Sequence, residues 1–133
     1  MKLKNLLLLL LPLLLTSCDK HLREKTFTNG DITVHWYEIS TITTINHYID
    51  ISRNGDTKNI MRSEPYSIYD IIIKGDSVII KTTPNLLLYS LAKREQGYTI
   101  ALDSTVTTYD YMKKYQPENA QYYANDTLSN SPK

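Results

Sequence analysis

Alternating apolar and polar residues, interrupted by turn dipeptides, form the most regular pattern in this chain. Segments rich in isoleucine, valine and tyrosine flank three such dipeptides, Asn29-Gly30, Asn54-Gly55 and Gly75-Asp76. Alternation with a period of two is typical of strands with one face in a core and one in water. Because glycine and asparagine tolerate positive φ, these dipeptides favour two-residue hairpin turns. The pattern predicts a mainly β to α+β fold: a small antiparallel sheet built from hairpins, with one or two short helices.

Each predicted turn also determines which residues face each other across its hairpin. The pairs predicted around the third turn are Ile73 with Val78, Ile72 with Ile79, Ile71 with Ile80, Asp70 with Lys81, and Tyr69 with Thr82. Around the second turn they are Ile49 with Ile60 and Arg53 with Asp56, and around the first, Phe27 with Ile32. Three consistent registers make the antiparallel sheet the firmest structural expectation.

The segment after Pro84 permits two interpretations. A helix over 85–96 is favoured, with Asn85 as its N-cap, four apolar residues on one face and Gly97 just past its end. The alternative is a fourth hairpin, formed by 86–92 and 98–103, so Leu86–Gln96 is either helix or strand.

The remaining elements are simpler to place. A strand is expected over Tyr98–Leu102, and a short helix from Thr107 or Thr108 to Tyr115, ending before Pro117. The last residues, 117–133, contain two prolines and many Asn, Ser and Asp, which predicts a disordered tail.

The beginning of the chain has a different character. Lys2 and Lys4 precede a run, Leu6 to Leu15, that is all leucine except for Pro12. A positive start, a short apolar run and small residues are typical of a secretory signal peptide. A membrane-spanning helix is disfavoured, because crossing the hydrocarbon core takes about 20 apolar residues.

The residues at the end of this run, Leu15-Thr16-Ser17-Cys18, resemble the lipobox of bacterial lipoproteins. The resemblance implies that Leu15, Thr16 and Ser17 are recognised by the signal peptidase and that Cys18 becomes the lipid-bearing first residue. In that family the thiol is diacylated, and in many species the freed amine is acylated too. Cys18 is the chain's single cysteine, so no internal disulfide can form.

This resemblance sets the expected organisation and location. Residues 1–17 are the signal peptide, 18–24 a lipidated tether, 25–116 a single β-rich domain and 117–133 the tail. The protein is then lipid-anchored to a cell-envelope membrane, facing the periplasm or the surface. Asp19 resembles an inner-membrane retention signal of some lineages, whereas charged residues after the cysteine direct lipoproteins to the surface in others, so the leaflet stays open.

Charge and motifs exclude several classes of function. Removing Lys2 and Lys4 leaves a net charge of about −1, which argues against nucleic acid as a partner. No G-x-S-x-G elbow or phosphate-binding glycine loop occurs, and one cysteine gives no zinc motif. We therefore expect no catalytic residue, no metal and no cofactor.

The histidines offer one conditional exception. If segments 32–39 and 45–52 pair, His35 faces Asp50 and Glu38 faces His47, on opposite faces of the sheet. The turn this register needs, around Ile42-Thr43, contains no typical turn residue, so the register is disfavoured. Even within it, structural pairs are favoured over catalytic ones.

Tyrosine is the remaining compositional anomaly, with eleven tyrosines beside one phenylalanine and one tryptophan. Tyrosine is enriched at binding surfaces. A candidate binding patch on the last helix consists of Tyr109, Tyr111, Met112 and Tyr115.

These observations together predict a small lipid-anchored envelope protein, a non-catalytic interaction or accessory protein. Its partners would be the membrane, through the acyl chains on Cys18, and a protein of the envelope. Two alternatives stay open: an immunity or inhibitor protein against a delivered toxin, and a module that binds a glycan or peptide through the tyrosine patch.

Overall fold

The structure, a computed structural model, describes residues 20–124. Leu15, Thr16, Ser17 and Cys18 lie outside these residues, and so does the end of the predicted tail. Within 20–124, no helix is long and apolar enough to cross a membrane.

Nine strands, one α-helix and one 3₁₀ helix make up the described chain. The strands are β1 (Lys20–Asn29), β2 (Ile32–Ser40), β3 (Ile45–Arg53), β4 (Asp56–Ser63), β5 (Ile68–Lys74), β6 (Ser77–Thr82), β7 (Leu88–Leu91), β8 (Arg94–Glu95) and β9 (Tyr98–Asp103). The helices are α1 (Thr108–Tyr115) and the 3₁₀ helix (Pro117–Tyr123).

The strands form two sheets, which confirms the mainly β fold. The first sheet has the order β1-β2-β3-β4-β7 and is antiparallel throughout, and the second has the order β5-β6-β9-β8. One pair in the second sheet, β6 with β9, is parallel. Parallel neighbours need a crossover connection, and here the chain makes it by way of β7, in the other sheet.

The second and third hairpins follow the predicted registers next to their turns. Asn54 and Gly55 both have positive φ, of 50° and 79°, and Arg53 faces Asp56 as predicted. At the third hairpin, four of the five predicted pairs form, from Ile73 with Val78 to Asp70 with Lys81.

The predictions that fail lie beyond irregularities in the strands. Ile49 faces Met61 rather than Ile60, because the register shifts between Ile49 and Asp50. The predicted pair of Tyr69 with Thr82 is also wrong, because a register shift after Ile68 places Ile68, and not Tyr69, opposite Thr82. Alternation alone carries no sign of such an extra residue.

The first hairpin turns one residue later than predicted. Gly30 and Asp31 form the turn, so Asn29 faces Ile32 and Phe27 faces Val34 rather than Ile32. A two-residue change of register keeps every side chain on its predicted face.

The favoured helix over 85–96 is wrong, because residues 87–92 run along the edge of β4 and residues 94–95 pair with β9. The backbone N–H of Ala92 donates to Ile60 O at 2.8 Å, and that of Glu64 donates to Leu87 O at 3.0 Å. The alternative hairpin is also absent from the described chain: β7 pairs with β4, and β9 lies between β6 and β8. An open strand edge outweighs the modest helix preference of these residues.

One hydrophobic core lies beneath both sheets. It consists of Ile32, Val34, Trp36, Ile49, Ile51, Ile60, Met61, Ile68, Ile71, Val78, Ile80 and Ile100. A second cluster holds α1 and the 3₁₀ helix, through Val106, Tyr111, Met112 and Ala120. The predicted strand over Tyr98–Leu102 and the helix ending at Tyr115 are confirmed.

Two predicted boundaries need correction. β1 begins at Lys20, within the segment predicted as a tether over 18–24, because it pairs with β2 from Lys20 onward. The 3₁₀ helix occupies part of the segment predicted as a tail over 117–133, since Ala120 is buried against the second cluster.

Candidate functional site

The register that the sequence disfavoured is the one that β2 and β3 adopt. His35 faces Asp50 and Glu38 faces His47. The turn between the strands is held by threonine side chains instead of glycine or asparagine: Thr44 N–H donates to Thr41 Oγ1 at 3.1 Å, and Thr41 N–H to Thr44 O at 2.8 Å. Hydroxyl-stabilised turns of this kind replace the usual turn residues.

On the inner face, Trp36, His47 and Glu38 form a buried polar chain, made of one hydrogen bond and one close contact. Trp36 Nε1–H donates to His47 Nδ1 at 2.8 Å, and His47 Nε2 lies 3.1 Å from Glu38 Oε1. Because Nδ1 accepts a hydrogen bond, the ring proton belongs on Nε2, where it faces the carboxylate. The indole N–H and His47 Nδ1 satisfy each other, whereas His47 Nε2 contacts the Glu38 carboxylate without the alignment of a hydrogen bond.

A small cavity of about 20 Å³ adjoins this chain, room for one water molecule. Its walls are Lys25, Trp36, Glu38, His47, Ile68, Tyr111 and Tyr115. Lys25 Nζ lies 5.2 Å from the ring centres of both Trp36 and Tyr115, a cation–π arrangement. The cavity is therefore narrow and partly covered by a charged side chain.

Ser63 completes an apparent catalytic series with Glu38 and His47, because it lies directly opposite His47 on β4. Its geometry is wrong for nucleophilic chemistry. Ser63 Oγ donates to Glu64 O at 3.1 Å, and the two His47 nitrogens face Trp36 and Glu38. A general base must present a nitrogen to the nucleophile. This arrangement can hold strands together, and it does not activate a serine.

Other titratable clusters in the described chain are smaller. His35 Nε2 lies 3.8 Å from Glu24 Oε2 at the surface. Among residues 20–124, no three or more His, Cys, Asp or Glu side chains are grouped so that they could hold a metal ion.

The predicted tyrosine patch does not form an exposed surface, which corrects that prediction. Tyr111 and Met112 are 5% and 9% exposed, and Tyr109 and Tyr115 are half-buried against the same cluster. Tyr115 Oη donates to Tyr69 O at 2.7 Å, which ties α1 to β5. An eight-residue helix has one apolar face, and here the core takes it.

A different aromatic surface lies on the outer face of β2 and β3. Tyr37 and Tyr48 stack with ring centres 5.5 Å apart and planes at 13°, and His35 lies 4.9 Å from Tyr37. We call His35, Tyr37 and Tyr48 the aromatic row. Sequence reasoning missed it, although alternation already placed its members on one face once β2 pairs with β3.

Asp50 anchors the aromatic row. Tyr37 Oη donates to Asp50 Oδ2 at 2.9 Å, and Asn59 Nδ2 donates to Asp50 Oδ1 at 2.8 Å. Partial burial, the hydrogen bond to Asp50 and the charge of Asp50 raise the pKa of Tyr37 to about 12. The hydrogen bond to Asp50 positions the Tyr37 hydroxyl, and its raised pKa means that this phenol ionises only at strongly alkaline pH.

Comparison of the chain with protein-family models, with curated proteins and with solved structures gives no match. No relative therefore adds information about the fold or the candidate sites.

The buried chain makes a testable contribution to stability. Trp36→Phe removes the donor and leaves His47 Nδ1 buried without it, so we expect the free energy of unfolding to fall by roughly 1–3 kcal/mol. Urea denaturation followed by circular dichroism measures this loss. His47→Leu and the double variant complete a mutant cycle, and purely additive losses would contradict an interaction between Trp36 and His47.

Tyr37 makes an alkaline pH dependence testable. Its raised pKa stabilises the fold fully below the ordinary phenol pKa of about 10, and this contribution is lost as pH rises to about 12. In a spectrophotometric titration, Tyr37→Phe should remove one late-ionising phenol. Asp50→Asn should move that phenol back toward the ordinary range, and an unchanged late phenol in this variant would refute the role of Asp50.

Proposed function

We propose that the protein is a small lipid-anchored protein of the bacterial cell envelope that acts by binding a partner rather than by catalysis. The observation that carries the proposal is the placement of Cys18, directly after Leu15-Thr16-Ser17 and the leucine run. Lipidation of Cys18 explains both the leader and the presence of a single cysteine directly after it.

The strength of the anchor follows from the chemistry of acylation. Each buried methylene contributes about 0.8 kcal/mol, and one acyl chain alone gives marginal binding. Two or three chains on one residue make the attachment lasting. The folded domain needs no membrane-spanning element for this role.

The geometry around His47 supports a non-catalytic role. The described cavity has room for a water molecule and not for a substrate, and Ser63 donates its hydroxyl hydrogen to a backbone carbonyl. Binding proteins need neither an activated nucleophile nor a proton-transfer group. In a binding protein, the buried chain of Trp36, His47 and Glu38 would serve to fix the register of the sheet.

The distribution of surface charge distinguishes between the possible kinds of partner. The whole chain is nearly neutral, and acidic and basic side chains are interspersed near the second turn, as in Arg53 with Asp31 and Lys58 with Asp56. A toxin-neutralising protein is expected to carry a strongly one-signed face. An accessory or assembly protein is therefore favoured over an immunity protein.

Replacing Cys18 tests the anchor. We expect the parent protein to sediment with membranes and to carry acyl chains on Cys18, with residues 1–17 removed. Cys18→Ser should move the protein to the soluble fraction, because the lipid attachment is lost. Fractionation and mass spectrometry of the intact protein give both readouts.

The matched control is Ser90→Ala, a change at an exposed side chain outside the leader. It should leave membrane attachment unchanged. A Cys18→Ser protein that stays with membranes after a high-salt wash, or a parent protein whose Cys18 sulfur is unmodified, would overturn the proposal.

A second candidate function, glycan binding, is favoured by the aromatic row. Stacked rings of Tyr37 and Tyr48 present a flat, partly exposed apolar surface on an open sheet face. The apolar faces of sugar rings pack against such surfaces, while hydroxyls such as Tyr48 Oη can hydrogen-bond at the rim.

Titration with soluble fragments of cell-wall glycan tests this candidate. We expect the backbone amide resonances of β2 and β3 to shift, and Tyr48→Ala to weaken binding at least about tenfold, which corresponds to one aromatic contact. Tyr122→Ala, at an exposed tyrosine outside the aromatic row, is the control. Equal binding by both variants would exclude the aromatic row as the glycan site.

A further inference from the structure

The topology of the first sheet sorts the loops of the molecule into two ends. Since β1, β2, β3, β4 and β7 are all antiparallel, the start of β1, the loop after β2, the loop after β4 and the start of β7 lie at one end. Lys20 faces Ser40 there, and Pro65 lines a groove with the residues of the loop after β2. The turns at Gly30 and Gly55 lie at the opposite end, and those of the second sheet lie beside them, because Arg53 Nη1 donates to Gln96 O and Thr99 N–H donates to Asp76 O.

The first of these ends is unusually apolar. Of the eight large hydrophobic side chains that are exposed in the described chain, five belong to it. We call these five residues the anchor end: Ile42, Tyr66, Leu87, Leu88 and Tyr89. Ile42, at the tip of the loop after β2, is 89% exposed. Single exposed apolar residues are ordinary, whereas a concentration at one end indicates an interaction surface.

Charged side chains are less frequent in the loops of the anchor end than at the glycine turns. The loops 41–44 and 83–87 contain no charged residue, and Glu64 accepts a hydrogen bond from Tyr89 Oη at 2.7 Å. At the glycine turns, Arg53 Nε donates to Asp31 Oδ2 at 2.7 Å, and Gln96 Nε2 donates to Asp56 Oδ2 at 3.0 Å. The anchor end also carries charge, since Arg62 lies 5.2 Å from the ring centre of Tyr89, but its loops after β2 and before β7 are uncharged.

Tyr66 adds evidence of a different kind. Its φ is 71°, in the left-handed region that bulky side chains avoid, and its side chain is 53% exposed. Burial in the core therefore does not offset the steric cost of this conformation. The amphipathic ring of this residue is exposed to solvent, next in the chain to Pro65.

The length of the linker decides what this end faces. Cys18 is two residues from Lys20, and two residues span at most about 7 Å. An acylated Cys18 therefore brings the start of β1 to the bilayer surface, together with the loop after β2 that lies beside it. A long flexible tether would leave the orientation free, and this chain has none between Cys18 and β1.

From this juxtaposition we propose that the anchor end docks on the lipid surface, with Ile42 and its apolar neighbours inserted at the boundary between headgroups and acyl chains. The inference rests on the proposed lipid anchor. Tyrosine suits that boundary because its apolar ring carries a polar hydroxyl. Leucine suits it because its short apolar side chain enters only the outer part of the acyl chains. Docking holds the sheets upright, with the glycine turns directed away from the membrane.

Quenching by lipid tests this orientation in the lipidated full-length product, reconstituted into phosphatidylethanolamine–phosphatidylglycerol vesicles with nitroxide-labelled acyl chains. Ile42→Trp places a reporter at the tip, and Lys74→Trp places the same reporter beside the third turn, at the opposite end. The parent protein supplies the background of Trp36, which is buried in the core. Insertion to a depth of about 5–10 Å should give roughly twofold greater loss of emission at position 42 than at position 74.

Flotation and mass spectrometry of the same sample separate the two proposals. A lipidated, floating protein with equal quenching at both positions, or with none at position 42, overturns docking and leaves the anchor standing. Emission at position 42 that is shielded from water but not quenched by lipid also overturns it, and indicates a protein or a second copy on that end. A protein with an unmodified Cys18 overturns both proposals.

Discussion

The buried polar chain of Trp36, His47 and Glu38, with its hydrogen bond from Trp36 to His47, is the constraint on which the rest of the structure depends. It spans β2 and β3 on the buried face, where a one-residue shift of β3 would turn His47 toward the solvent side and away from Trp36 and Glu38. Apolar contacts tolerate small rearrangements, whereas a buried indole N–H needs its acceptor at hydrogen-bond distance. These three buried polar side chains therefore specify the β2–β3 register more strictly than the surrounding isoleucines do.

The position of this chain links the sheets to the helices. Its cavity is bounded by Ile68 at the start of β5 and by Tyr111 and Tyr115 on α1. Tyr115 also lies between two lysines, since Lys25 and Lys114 each place an ammonium group within 5.3 Å of its ring centre. Tyrosines that resembled a binding surface thus act as the contacts that hold α1 to the sheets. The outer face of β2 and β3 is left with the aromatic row, and the two ends of the first sheet differ in polarity.

The parts of the fold that could be predicted are those set by neighbours in sequence. Asn54-Gly55 has the two positive φ angles of its turn, and the residues next to it pair accordingly. Thr107 caps α1 by accepting from Asp110 N–H, as a local signal before the helix indicated. Predictions failed where a distant strand decided the outcome: Ala92 bonds to Ile60, more than thirty residues earlier, and no local pattern encodes that contact. The candidate site divides in the same way, because facing pairs follow from a register but the reach of Trp36 to His47 is diagonal across two strands.

By itself, the amino-acid sequence determined the alternation that makes strands, the turns that make hairpins and the face of each side chain up to the first bulge, because these depend on backbone geometry within a few residues. Only the tertiary structure decided which strands share a sheet, whether 85–96 pairs or coils, and which tyrosines are buried. Those outcomes depend on competition for strand edges and for core volume, and such competition involves residues that are far apart in the chain.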